Sequence, residues 1–148
     1  MVDRMDRLRE LRGLRRTVAE RDARVAKAER DEFVRKVNAA KDEHARTLSD
    51  ATTKRRGALD ALVSQPATPM NLARMSNVSA VVDQGIDDAA QAADRAETSL
   101  SEAEDVFARK QDVLARFLKR EEATNSAIER MEEASQRQRD AIEEDGDD

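Results

Sequence analysis

The stretch Leu62–Ser76, LVSQPATPMNLARMS, holds both prolines of the chain, Pro66 and Pro69, and divides two long segments that read as helix. Pro66 lacks an N–H and disfavours helical geometry at Gln65, so the first helix should stop near Ser64. Thr68 followed by Pro69 has the form of an N-cap with proline at the first helical position, which predicts a short turn of helix through Met75. Ser76, Asn77 or Ser79 can then cap a second long helix. The expected order is helix 3–64, loop 65–78, helix 79–143 and an acidic tail 144–148, within a single domain 1–148. Two segments of nearly equal length predict an all-α fold, a long antiparallel two-helix coiled-coil hairpin with a short helical turn in the connecting loop. At about 1.5 Å per residue each helix would be roughly 90 Å long.

The composition agrees with this reading. Of 148 residues 40% are charged, 2% are aromatic and only 4 are glycine, as in long solvated helices. The chain has no cysteine and no apolar run behind a basic N-terminal segment, so neither disulfides nor a secretory signal is expected. No stretch approaches the roughly 18 consecutive apolar residues of a spanning helix, and direct membrane insertion is not expected. The net charge of −5 disfavours nucleic acid as the main ligand. It conceals a segregated pattern, however. Residues 1–30 carry Arg4, Arg7, Arg9, Arg12, Arg15, Arg16, Arg21, Arg24, Lys27 and Arg30, whereas Asp140, Glu143, Glu144, Asp145, Asp147 and Asp148 close the chain. Between the ends, an acidic block from Asp83 to Asp105 precedes a basic one with Arg109, Lys110, Arg116, Lys119 and Arg120.

From Val82 onward, Val82, Ile86, Ala89, Ala93, Ala96, Leu100, Ala103, Phe107, Leu114, Phe117, Ile128, Met131 and Ile142 fall on one stripe of alternating three- and four-residue spacing. In the first half, Met5, Leu8, Leu11, Leu14, Val18 and Val25 make one stripe, and Phe33, Val37, Ala40, His44, Leu48, Ala51, Leu59 and Leu62 make a second. A phase shift between Val25 and Phe33 would have to join them. Folding near residue 71 sets residue i opposite roughly 143 − i, with Leu62 by Val82, Val37 by Phe107, Val25 by Phe117, Leu14 by Ile128 and Leu11 by Met131. Large residues would then meet large ones, with Ala89–Ala103 against Ala39–Ala51.

Motifs of chemistry are absent. The sequence has no phosphate-binding Gly-Lys-Ser/Thr loop and no His-Glu-x-x-His, and with no cysteine it offers neither zinc thiolates nor a thiolate nucleophile. The chain is therefore expected to be no enzyme and to need no cofactor. His44, the single histidine, sits on the expected seam without a second catalytic group. The terminal EEDGDD lacks the ligand spacing of a calcium loop and reads as a solvated tail. The N-terminal arginines have no interleaved aromatic residues for base stacking.

The segments MDRLRELRGLRRTVAERDARVAKAERDE, MNLARMSNVSAVVDQGIDDAA and ARKQDVLARFLKREEATNSAIERMEE resemble the stalk proteins of type III secretion and flagellar export ATPases, the FliJ/YscO family. The resemblance extends over most of the chain, and the central break agrees with it. It implies an antiparallel coiled coil whose terminal end enters the pore of a hexameric export ATPase. Other parts of such stalks contact the membrane protein that forms the export gate and, in some members, substrate chaperones. The implied location is cytoplasmic, peripheral to the inner-membrane export apparatus. By position, the gate-binding stripe would fall on Val82, Ile86, Ala89 and Ala93. Arg4, Arg7, Arg12, Arg15 and Arg16 lie near the joined termini, and their guanidinium groups suit carboxylates lining an ATPase pore. Three alternatives remain: a coiled-coil scaffold or homodimeric adaptor, which would use the same seams between chains; a holdase resembling prefoldins, which would need exposed apolar helix tips and strand pairs near the turn, where the sequence has no alternating β-pattern; and a nucleic-acid arm at residues 1–30.

Overall fold

A computed structural model describes the backbone of residues 2–146 and the side chains of residues 3–144. Two helices account for nearly all of it, α1 (Val2–Ser64) and α2 (Pro69–Gly146), and they pack antiparallel as a helical hairpin. The connection is only residues 65–68. Thr68 acts as the N-cap of α2: its hydroxyl oxygen accepts from the Asn71 amide at 3.3 Å and its carbonyl from the Leu72 amide at 3.1 Å. The Pro66 carbonyl, freed by the end of α1, accepts from the Thr68 amide at 2.8 Å and from Asn71 Nδ2 at 2.9 Å.

This turn corrects the expected loop 65–78 and the helix start at residue 79. Once Thr68 and Pro69 have begun a helix, residues 70–82 contain neither proline nor glycine to stop it, so the caps at Ser76, Asn77 and Ser79 go unused. The expected short turn is the first part of α2 itself. At the other end α2 runs to Gly146, beyond the expected 143; Glu144 of the expected acidic tail lies within it, and Asp147 and Asp148 lie outside the described residues.

The shorter connection also moves the register. Cross-helix neighbours Arg12 and Arg120, Arg16 and Glu121, Lys41 and Glu97, Arg55 and Asp83, and Thr47 and Gly85 have residue numbers summing to 132–138, not 143. Within each unit the cross-helix neighbours are thus offset from the expected pairing by about one to three turns of helix. Phe107 comes beside Ala23 instead, and Phe117 beside Ala19.

The contacts divide the chain into two units where the sequence reads as one domain. One unit combines Met1–Lys27 with Val106–Asp148, and the other is Ala28–Asp105. In the first, α1 turns Ala19, Ala23 and Ala26 inward, each 4–5% exposed, toward the side of α2 that carries Phe107, Leu114 and Phe117. In the second, Val37, Ala51, Val82 and Ala93 are the buried positions. Small residues on one helix against larger ones on the other permit close approach at native packing density. Along α1 the inward positions 19, 23, 26, 30, 33, 37, 40 and 44 keep an unbroken three-four spacing. The phase shift expected between Val25 and Phe33 does not occur, because the stripe that continues into Phe33 is the alanine one.

Leu11, Leu14, Val18 and Val25 are consequently 50–64% exposed, a correction to their assignment as seam residues. Leu48 and Leu59 likewise lie outward at 44% and 54%. The α2 stripe is inward as expected from Val82 to Phe117 and again at Ile128, but Met131 and Ile142 are 45% and 72% exposed. With the register shortened, residues of α2 beyond about 134 have no described α1 residue opposite them.

Surface ion pairs decorate both units. Glu32 accepts from Arg35 Nε at 3.0 Å, and this hydrogen bond is the main reason its carboxyl titrates below the usual range. That contribution is present above the ordinary carboxylate range and fades as pH falls through the lowered value; full exposure leaves it small.

Gly13 and Gly57 lie inside α1, and a Cβ at either meets nothing within 4 Å. Replacing each with alanine should stabilise the chain by about 0.5–1 kcal/mol through the lower backbone entropy of the unfolded state. Urea titration monitored by helical ellipticity measures it.

Candidate partner-binding surfaces

The five arginines near the start of α1 divide into two groups, because two stripes of three-four spacing run side by side there. Arg12 and Arg16 belong to the inward stripe. Arg12 Nη1 donates to the Arg120 carbonyl at 2.8 Å, and Arg16 Nη1 pairs with Glu121 Oε2 at 3.2 Å and its Nε with Glu20 Oε1 at 3.5 Å. Glu121 is only 16% exposed at its side chain, and Thr124, 4% exposed, donates its hydroxyl to the same Arg120 carbonyl at 2.8 Å. Beside them Asn125 keeps a buried Oδ1 without a hydrogen-bond donor among the described residues. These groups make a polar layer in the seam between Phe117 and Ile128. Polar groups at such positions fix register at some expense of stability.

Arg4 and Arg7 belong to the outward stripe, Arg15 lies beside it, and all three are exposed. The full outward run is Arg4, Arg7, Leu11, Leu14, Val18, Arg21 and Val25, in steps of three and four. An α-helix with two such stripes carries the pattern of a helix that packs on two neighbours, and α2 occupies one stripe. A groove of about 280 Å³ opens along the other, walled by Leu11, Leu14 and Val18 from α1 and Val113 and Phe117 from α2. Arg15, Asp22 and Lys110 rim it. Sequence reading found the residues of this face but assigned them to the hairpin's own core.

In the other unit the four residues expected to meet an export gate take seam positions. Val82 and Ala93 are buried at 7% and 8%, and Ile86 and Ala89 are half-buried. A rigid partner has no access to Val82 or Ala93 while the helices stay together. The accessible residues are their neighbours: Val81 is 72% exposed, Val78 39%, and both line a groove of about 460 Å³ with Thr47, Ala51 and Gly85. The seam spacing passes over these two valines. Near the connection, Val63, Met70 and Leu72 are 89%, 66% and 53% exposed. That apolar tip meets one requirement of the prefoldin-like alternative, but the described residues contain no strand to meet the other.

His44 is half-buried at an inward position of α1, between Ala40 and Thr47. Among the described residues no three His, Cys, Asp or Glu side chains gather as a metal site, and no helix is long and apolar enough to cross a membrane. Comparison with protein-family models, curated proteins and solved structures finds no match to this chain.

Proposed function

We propose that the chain is the central stalk of a type III protein export apparatus, binding a hexameric export ATPase and promoting its assembly or activity while coupling it to the export gate. The reading rests on the resemblance of its three segments to the FliJ/YscO family, and it requires the helical hairpin that the chain forms. The observation that carries it furthest is the outward placement of Arg4, Arg7 and Arg15 beside Leu11, Leu14 and Val18. Guanidinium groups there offer bidentate donors to pore carboxylates, and the leucines add apolar area. Arg12 and Arg16 serve the hairpin itself, so the ATPase contact is narrowed to the other three. Gate binding is reassigned from the buried Val82 and Ala93 to the exposed Val78 and Val81. The stalk is cytoplasmic and peripheral to the inner membrane in this reading, has no catalytic role, and has substrate chaperones as further partners.

The test measures the ATPase rate and oligomeric state of the cognate export ATPase with and without this chain. Wild type should promote hexamer formation and raise the rate. The triple variant Arg4→Glu, Arg7→Glu, Arg15→Glu should weaken binding more than about tenfold, given about 1.5–3 kcal/mol for each charged hydrogen bond lost. Unchanged binding by that variant, with its helicity intact, would remove the arginines from the interface. The second reading, a coiled-coil scaffold or homodimeric adaptor, is favoured by the same unoccupied stripe on α1.

A further inference from the structure

We infer that the outward face of α1 between Arg7 and Asp22 is the seat of a second copy of this chain, packed antiparallel about a two-fold axis to make a four-helix bundle. The exposed apolar residues Leu11, Leu14 and Val18 centre between positions 14 and 15. A two-fold axis passing there sets Leu11 of each copy against Val18 of the other, with both Leu14 side chains at the middle. The same axis sets Arg7 of each copy against Asp22 of the other. Arg7 and Asp22 are both exposed, and neither forms an ion pair with any described residue of its own chain. A patch that meets itself needs its charges arranged in this way, opposite in sign at equal distances from the centre.

The rest of the groove fits the same occupant. Its far wall, Val113 and Phe117 of α2, gives the arriving α1 a second helix to pack against. A parallel arrangement would instead set Arg4, Arg7, Arg15 and Arg21 all against their own copies, whereas the antiparallel one leaves only Arg15 near its own copy at the centre, so charge favours the antiparallel one. Pairing covers six large apolar side chains that a single copy leaves 53–64% exposed. The inference goes beyond the stalk reading and stands without it. If both hold, the paired form conceals the arginine face and competes with the ATPase for it.

The experiment is sedimentation equilibrium of the full chain alone, from about 5 to 200 µM, with helicity followed in parallel. Wild type should be dimeric at the upper end, and Leu14→Glu with Val18→Glu should be monomeric while retaining wild-type helicity. Arg7→Glu should weaken pairing tenfold or more, because it meets Asp22 of the second copy. Adding Asp22→Arg to it should restore pairing to within threefold of wild type. A chain that stays monomeric at 200 µM, a dimer untouched by the two glutamates, or a charge swap that fails to rescue would each overturn the inference. ATPase stimulation by the monomeric variant is a separate readout: its loss or retention bears on the stalk reading and leaves the dimer measurement as it stands.

Discussion

Ala26→Asp should destabilise the hairpin by at least about 3 kcal/mol, while Val25→Asp one position earlier should change stability by only about 0.5 kcal/mol. The contrast inverts the order that hydrophobicity suggests. Ala26 is 4% exposed, and the register sets it by Phe107, whereas Val25 is 50% exposed on the outward stripe. An aspartate at 26 would carry a charge into the seam, where burial strips its water, and a shared shift of the two helices to admit it would also separate Ala19 and Ala23 from α2. At 25 the carboxylate stays in water, among the arginines of α1. Chemical denaturation of both variants at about 1 µM, below the range where copies pair, measures the difference. Equal losses at the two positions would restore the leucine-valine stripe to the core and remove the outward face altogether.

The reason this segment was misread lies in its chemistry. Between Met5 and Val25 two stripes of the same period interleave, one of alanines and arginines, the other of leucines and valines. A pattern argument ranks stripes by the apolar area each would bury, and so selects the second. Packing ranks them by fit: Phe107, Leu114 and Phe117 already fill the space between the helices, and only a small side chain opposite lets the backbones approach. Where no such competition existed the sequence was legible. Phe33, Val37, Ala40, His44 and Ala51 on α1, and Val82 through Phe117 on α2, lie inward as their spacing indicates. The chain break was legible for a similar reason, since Pro66 and the Thr68–Pro69 cap act locally. The register was not, because it depends on how many residues the connection consumes, and an N-cap does not reveal how far its helix will run. Shortening the connection from fourteen expected residues to four shifted every cross-helix pair. Which of the five arginines face water was not legible for the same reason, since it follows from which stripe meets α2.

Val82→Asp and Val81→Asp should separate packing from partner binding in the unit formed by Ala28–Asp105. Val82 is 7% exposed and lies with Ala51 in the seam, so a charge there should cost about 3 kcal/mol or more and lower helicity at ambient temperature. Val81 is 72% exposed, and aspartate there should leave the melting curve within about 0.5 kcal/mol of wild type. If the valine face meets the export gate, Val81→Asp nonetheless abolishes export in cells, because a charge in an apolar contact is left desolvated without a partner. Val82→Asp also fails in cells, but by loss of the folded hairpin, which lower steady-state protein reveals. Replacing Val82 with isoleucine provides the control, since it adds one methylene to the seam and leaves the outer face as it was. That variant should export normally, with a modest packing cost. Export retained by Val81→Asp would instead release Val78 and Val81 from any gate contact, and the groove they line would then have no part in coupling.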